Sequence, residues 1–335
     1  MKNILITGGA GYIGSHTAVQ LVEAGFNPII VDDLSNSDEK VLGRLEEIIG
    51  KKLTFFKGDC SDRSLLDQIA SKHKIAGVIH FAAFKAVGES TQVPLKYYQN
   101  NLGSLLTMLD FMTENKIKDI VFSSSCTVYG QPEVLPVTEQ TPRQDAESPY
   151  GNTKKICEDI LVDLVKSHAG IRVISLRYFN PVGAHPSGKI GELPIGTPAN
   201  LVPFVTQTAA GIREKLTVFG DDYDTVDGSC VRDYIHVMDL ADAHVKAFAY
   251  LEEQKDDFYD VFNVGTGNGN TVLEVIKTFE KVNGIKVNYQ VGPRRPGDIV
   301  KIWADTSKIN SVLNWYPSYN LEDSMRDSWN WQESL

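Results

Sequence analysis

A doubly wound α/β fold is predicted for this 335-residue chain by three features of its first half. Short apolar runs recur, segments of helical period separate them, and a glycine turn joins the first run to the first helix. The runs fall near residues 3–7, 28–32, 53–57, 76–80, 119–123 and 171–177. Runs this short and this apolar suit parallel strands covered by helices on both faces.

Ile4-Leu5-Ile6-Thr7 reads as a buried strand, Gly8-Gly9-Ala10-Gly11-Tyr12-Ile13-Gly14 as the turn, and Ile13, Thr17 and Leu21 as one face of the helix that follows. Gly8 permits the tight turn, Gly11 lets a pyrophosphate approach the backbone, and Gly14 lets helix and strand pack closely, with the helix N-terminus facing the anion. The spacing is GxxGxxG rather than GxGxxG, in the strand-turn-helix context that a Rossmann-type dinucleotide site requires. The second strand, Pro28-Ile29-Ile30-Val31, ends in Asp32, eighteen residues after Gly14. A carboxylate there accepts the ribose 2′-hydroxyl of NAD and repels the extra phosphate of NADP. The third strand ends in Asp59, which by itself reads equally well as a turn former. Lys85 follows the fourth strand and either polarises a cofactor or caps a loop.

The fifth strand runs into Ser123-Ser124-Ser125, and downstream lies Tyr150-Gly151-Asn152-Thr153-Lys154. On a helix, positions four apart share a face, which sets an ammonium beside a phenol. A phenol of ordinary pKa, about 10, is a poor base near neutrality, and a fixed cation stabilises its phenolate. Taken alone, such a pair is only a solvated helix face; the surrounding pattern gives it chemical meaning. Beyond the sixth strand, residues 181–200 are rich in Pro and Gly without clear periodicity, which marks a long connection or functional loop. The domain change is placed there: a nucleotide-binding domain over 1–180 and a smaller α/β substrate domain over 181–335. Residues 237–265, with a helical pattern at Met238–Tyr250 and a strand at Val261–Val264, are expected to return to the first domain.

Composition narrows the function. A chain 42% hydrophobic can bury a large core, and a net charge of −10 argues against nucleic acid or an acidic membrane as partner. No apolar run approaches the roughly 18 residues of a membrane span, and no charged-then-apolar leader precedes the first strand, so a cytoplasmic enzyme is expected. Cys60, Cys126, Cys157 and Cys230 lack CxxC spacing and read as reduced structural thiols. His16, His80, His185 and His236 fall in separate segments without short ligand spacing, so no metal site is expected. Trp329 and Trp331 read as packing groups.

Longer motifs carry a resemblance. Thr7 through His16, His80-Phe81-Ala82-Ala83, Lys85 through Ser90, Leu176-Arg177-Tyr178-Phe179-Asn180-Pro181-Val182-Gly183-Ala184-His185 and Val231-Arg232-Asp233-Tyr234-Ile235-His236-Val237 span most of the chain. Together with Asp32, Ser125, Tyr150 and Lys154 they resemble the extended short-chain dehydrogenase/reductase superfamily, in its branch acting on nucleotide sugars. Within that branch they are most similar to the UDP-glucose 4-epimerase family. The resemblance implies reversible interconversion of UDP-galactose and UDP-glucose at C4 with tightly bound NAD. Tyr150 would take the proton of the sugar 4-hydroxyl while hydride leaves C4, and the 4-keto sugar would be reduced again on its other face.

By the same resemblance the cofactor meets Gly8, Gly11, Tyr12, Ile13, Gly14, Asp32, Asn36, Ser37, Asp59, Cys60, Phe81, Ala82, Lys85, Asn100, Tyr150, Lys154 and Phe179. Ser125 hydrogen-bonds the reacting oxygen, and Asn100 supports the Lys154 side. The substrate is expected to meet Ser125, Tyr150, Asn180, Asn200, Thr217, Val218, Phe219, Arg232, Arg295, Asp298 and Ile302. Because the keto sugar must turn over while bound, affinity has to come from the diphosphate, for which the forked guanidinium groups of Arg232 and Arg295 are suited. Asp298 would bind a uridine ribose hydroxyl, and Thr217-Val218-Phe219 would form the edge that meets uracil. Two apolar stripes, Leu102/Leu105/Leu106/Leu109 and Ile156/Ile160/Leu161/Leu164, either face the sheet or build the helical contact of a homodimer.

Three rival readings stand beside this one. A 4,6-dehydratase of the branch carries an Asp-Glu pair just after the Ser/Thr near its tyrosine, where this chain has Cys126-Thr127. A silent NAD-binding module would not need Ser125, Tyr150 and Lys154 together. Another nucleotide-sugar epimerase would share all of the chemistry and differ in the sugar. On that last point, epimerases restricted to glucose and galactose resemble one another in a Tyr just before the Trp of the Arg294–Asp305 segment. Ile302 stands there, and secondary use of N-acetylated UDP-sugars is expected.

Overall fold

The computed structural model describes residues 1–295 and 298–335. In chain order the elements are β1 (Asn3–Thr7), α1 (Tyr12–Glu23), β2 (Asn27–Asp32), α2 (Lys40–Ile49), β3 (Thr54–Lys57), α3 (Arg63–Lys72), β4 (Ile75–His80), α4 (Val87–Gln92) and α5 (Pro94–Glu114). Then come β5 (Asp119–Ser123), α6 (Pro149–Lys166), β6 (Arg172–Tyr178), β7 (Asn180–Val182), α7 (Leu201–Ala209), β8 (Leu216–Phe219), β9 (Val231–His236) and α8 (Val237–Leu251). The last are β10 (Phe258–Val264), β11 (Gly269–Thr271), α9 (Val272–Asn283), β12 (Tyr289–Gly292), β13 (Lys301–Ile302), α10 (Ser307–Leu313) and α11 (Leu321–Glu333).

Two compact units emerge. The first comprises Met1–Gly130, Pro142–Arg177 and Ala241–Phe262; the second comprises Gln131–Thr141, Tyr178–Leu240 and Asn263–Leu335. Gln131–Thr141, read with the first domain from sequence, clusters with the second for a backbone reason. The Val137 amide donates to the Trp303 carbonyl at 3.0 Å, and the Val137 carbonyl accepts from the Asp305 amide at 2.8 Å.

The first unit is built on a seven-stranded sheet of order β10-β6-β5-β4-β1-β2-β3. The pairs from β6 through β3 are parallel. Strand order reverses about β1, the arrangement whose carboxyl edge binds ligands. Register levels that edge: Thr7 lies opposite Val31 and His80, and His80 opposite Phe122. Asp32, the last residue of β2, and Phe81 and Ser125, just beyond β4 and β5, therefore all lie at strand ends on one side. On the core, Leu105, Met108 and Met112 of α5 and Leu161 and Val165 of α6 join Leu5, Val78 and Ile120 of the sheet. The placement of Tyr150 depends on where α6 begins. Ser148 caps it by accepting from the Gly151 amide at 3.2 Å, and Pro149 with its fixed φ occupies the first turn, which places Tyr150 at the helix mouth.

The second unit carries a sheet of β11, β9 and β13, with β7 alongside β9, and a separate β8/β12 ribbon. Val205, Leu216, Val275, Phe279 and Met325 form its core beneath α7, α9 and α11. Reciprocal capping boxes, Thr271 with Glu274 and Asn320 with Asp323, fix the starts of α9 and α11.

The apolar stripes of α5 and α6 are split by the fold. Leu105, Leu109 and Leu161 are buried, Leu102, Ile160 and Leu164 only partly so, and Leu106 remains 48% exposed.

Candidate active site

The first unit holds the glycine cradle. Gly8 adopts φ +68°, a conformation glycine takes without strain, and its amide donates to the Val31 carbonyl at 2.8 Å, turning the chain at the end of β1. A Cβ on Gly14 would run into the Gly8 carbonyl oxygen and the Gly9 Cα, so only glycine lets α1 sit this close to the turn. Gly11 is the N-cap residue of α1 and contributes no side-chain cap. Asp32 is buried and pinned, its Oδ2 accepting from the Ala10 amide at 3.0 Å and its Oδ1 from the Leu34 amide and the Ser37 hydroxyl, both at 2.9 Å. A carboxylate locked to the glycine loop in this way suits a ribose diol. Asn36 is exposed beside it.

Around this cradle, Asp59 is exposed and accepts from the Ser61 amide, while Cys60 is buried, its thiol pushed up to about 12 by desolvation and then by Asp59. At the end of β4 the Phe81 amide donates to the Thr7 carbonyl and the Ala82 amide to the Thr7 hydroxyl, which brings this segment against Gly8. Lys85 lies in the loop beyond. Asn100 donates to Asn101 at 3.0 Å. Asn101, which sequence reasoning passed over, is a buried amide with four bonds: its oxygen accepts from Asn100 and the Phe84 amide, and its nitrogen donates to the Phe84 carbonyl and the Thr153 hydroxyl. It ties the 84–86 loop to the helix that carries Tyr150. The doublet Asn100-Asn101 was the available signal.

Ser125, Tyr150 and Lys154 belong to the same unit and are all buried. Ser125 caps a short 3₁₀ turn, Cys126–Tyr129, by accepting from the Thr127 amide at 3.2 Å. Lys154 reaches back under the strand end. Its ammonium donates to the Ser123 carbonyl at 2.6 Å and lies 4.8 Å from the centre of the Phe122 ring. Burial pulls its pKa down to about 8, against the opposing pull of Cys157 and Glu158. His80 is held neutral by burial and by the Lys154 charge, at about 3, and its Nδ1 lies 2.9 Å from the Thr7 hydroxyl.

Tyr12 and Ile13 open α1 in the first unit, whereas Phe179 and the predicted substrate residues other than Ser125 and Tyr150 belong to the second. Phe179 is buried, its amide donating to the Val264 carbonyl, and Asn180 pairs with Tyr234 across β7 and β9. Asn200 sits at the N-cap position of α7, where its side chain donates to Glu192 at 2.7 Å instead of capping. Thr217, Val218 and Phe219 lie on β8 opposite Gln290, Val291 and Gly292; Val218 is buried and Phe219 is 43% exposed. Four predicted residues come together. Asp298 accepts from Arg295 at 2.6 Å and lies 3.7 Å from Arg232, while the Arg295 guanidinium lies 5.6 Å from the Phe219 ring centre. Ile302 is buried on β13, in register with Arg232. Pro296 and Gly297, part of the same motif, lie outside the described residues.

Among the four histidines weighed as ligands, His16 Nδ1 lies 2.7 Å from the Tyr12 carbonyl, His185 Nδ1 lies 2.8 Å from Ser187, and His236 accepts from the Met238 amide at 3.1 Å.

A family model described as GDP-mannose 4,6 dehydratase matches residues 5–328. The chain is 50% identical to UDP-glucose 4-epimerase of Erwinia amylovora over 98% of its length and 97% of that protein. It is 51% identical to UDP-glucose 4-epimerase of Bacillus subtilis (strain 168), over 99% and 97% respectively. The crystal structure of UDP-glucose 4-epimerase from Bifidobacterium longum in complex with NAD+ and UDP superposes with a TM-score of 0.96 at 46% identity, covering 99% of this chain and 98% of that one. At this identity over nearly the full length, in the fold and with the motifs described, the chain belongs to the UDP-glucose 4-epimerase family.

Proposed function

We propose that this chain interconverts UDP-galactose and UDP-glucose at C4 through a bound 4-keto sugar, with NAD retained throughout. The observation that carries the reading is the buried Lys154 ammonium, tied to the Ser123 carbonyl at the strand end that leads into Ser125, one helical turn from Tyr150. NAD, when bound, supplies the hydride acceptor that an unactivated carbinol carbon requires and later the hydride donor. The chain's own residues do the rest. Asp32 and Ser37 hold the adenosine ribose, Gly8, Gly11 and Gly14 give the pyrophosphate its backbone contacts, and Lys154 with Asn100 holds the nicotinamide side. Tyr150 removes the proton of the 4-hydroxyl and returns it to the same oxygen as C4 is reduced on its other face, Ser125 bonds the reacting oxygen, and Lys154 keeps the phenolate form accessible.

The second unit supplies the grip. Arg232 and Arg295 bind the diphosphate, Asp298 the uridine ribose, Asn180 and Asn200 contribute amide contacts, and the β8 edge meets uracil. Uridine and diphosphate then stay fixed while the keto sugar turns over. Ile302 leaves more room than a phenol beside the C2 substituent, which favours secondary use of N-acetylated UDP-sugars. The partly exposed Leu102, Leu106 and Ile160 on α5 and α6 fit a homodimer contact. A cytoplasmic enzyme accords with this nucleotide chemistry; among the described residues no helix is long and apolar enough to cross a membrane. Incubating the purified protein with UDP-galactose and resolving the nucleotide sugars tests the reading, with the nicotinamide released by denaturation identified in parallel. Conversion to UDP-glucose with stoichiometric NAD is expected; no conversion at high enzyme concentration would overturn it.

A further inference from the structure

Behind the proposed catalytic groups lies a buried charge network that the reaction scheme does not use. Glu158 stands one helical turn beyond Lys154 on α6, so that Tyr150, Lys154 and Glu158 follow one another along a single face. Glu158 is 1% exposed and Arg177, on β6, is 5% exposed. Their contact is a two-pronged fork: Arg177 Nε donates to Glu158 Oε1 at 2.9 Å and Nη2 to Oε2 at 2.6 Å. The same Oε1 accepts from the Ser124 hydroxyl at 2.6 Å, and Arg177 Nη1 donates to the Tyr129 hydroxyl at 3.0 Å. One buried ion pair thus braces the residue before Ser125, the end of the 3₁₀ turn that Ser125 caps, and the helix bearing Tyr150 and Lys154.

Such a pair is an expensive way to stabilise a core, since well-packed apolar residues often do as well or better. Its connections go instead to the residues flanking the chemistry. We propose that Glu158 and Arg177 are positioning residues for the epimerase reaction, which hold Ser125 and Lys154 in place and, by cancelling each other's charge, fix the local field in which the Lys154 ammonium sits. The other ionisable groups in this neighbourhood are Cys157 on α6, His80 on β4, Arg143 on the segment before α6, Tyr129 on the 3₁₀ turn and Tyr259 on β10. Arg143 Nη1 lies 3.4 Å from Glu158 Oε2, the oxygen that also takes Arg177 Nη2, and its guanidinium is shared with Asp159. Arg143 reaches Glu158 through one long bond from a partly exposed side chain, so it offsets only part of the charge that the fork cancels.

The inference rests on the role given to Lys154 above, and its test separates the two. In holoenzyme labelled with 13C-lysine, the Lys154 Cε resonance, assigned by its loss in Lys154→Met, reports the titration directly, whether or not turnover is measured. Glu158→Gln leaves the Arg177 cation uncompensated and should lower the Lys154 midpoint by about one pH unit; Arg177→Met leaves the Glu158 anion and should raise it by about as much. The alkaline limb of the kcat profile should move in the same two directions. A purely structural pair would lower stability in both variants and move neither midpoint, and that result, or two shifts of the same sign, overturns the proposal. If the single variants do not fold, the charge-neutral double variant Glu158→Gln/Arg177→Met decides. It should keep the wild-type midpoint while kcat falls about 10- to 100-fold through the loosened Ser125 turn; unchanged kcat there refutes the positioning role.

Discussion

Replacing Tyr150 by Phe deletes one oxygen from a buried ring at the mouth of α6 and leaves the helix cap and core contacts intact. Turnover should fall about 10²- to 10⁴-fold, the usual worth of a positioned acid/base group, with UDP affinity and melting temperature unchanged. Steady-state kinetics with calorimetry on the same preparation checks all three. Lys154 behaves differently because its burial is costly. The native ammonium titrates at about 8 against 10.5 for an ordinary lysine, so below about pH 8 the fold carries the full penalty. Between about 8 and 10.5 the native lysine sheds its proton before the unfolded one does, and stability rises with pH. Lys154→Met should therefore abolish most turnover while stabilising nucleotide-free protein at pH 7, by on the order of 2–4 kcal/mol, with the gain gone above pH 10.5. Denaturant melts at pH 7 and pH 10.5 measure it.

At the scale of elements, β9 and the segment after β12 carry the proposed anchor. Arg232→Ala or Arg295→Ala should each cost UDP affinity by roughly 1.5–3 kcal/mol, the worth of a charge-assisted hydrogen bond, and titration calorimetry with UDP alone isolates that effect from the sugar. Ile302→Tyr should sharply reduce use of UDP-N-acetylglucosamine and spare UDP-galactose, since one misfitting group discriminates by only about 1–3 kcal/mol; parallel assays on the two sugars decide it. The parallel-sheet strands were legible because their runs are short, apolar and bounded by turn residues: the run expected at 28–32 is β2, and that at 119–123 is β5. The association of Asp298 with both arginines was not legible as an ion pair, because only the folded segment after β12 brings position 298 to position 232. Glu158 and Arg177 left a readable trace that went unread. An arginine directly after the buried run Val173–Leu176, still within β6, must find a buried partner, and the i, i+4, i+8 series from Tyr150 points to one.

Over the whole molecule, the chain weaves rather than proceeding from one unit to the next. The first unit closes only when residues 241–262 arrive, with β10 taking the edge of the seven-stranded sheet beside β6. Cutting at residue 180, the division that glycine motif and loop composition suggest, would leave β6 as an open edge with its hydrogen-bonding groups exposed to other chains. A 1–180 fragment should therefore aggregate or fail to hold NAD, as gel filtration and nucleotide-release assays would show, whereas the full chain should elute as a soluble species. Because β10 is the last strand of that sheet to leave the ribosome, a nascent chain holds the entire glycine cradle and Tyr150 helix well before it can finish the sheet. Birth of this enzyme thus includes an interval in which its nucleotide-binding half has been made and is not yet sealed, and damage to β10 would be felt first as lost yield rather than as altered chemistry.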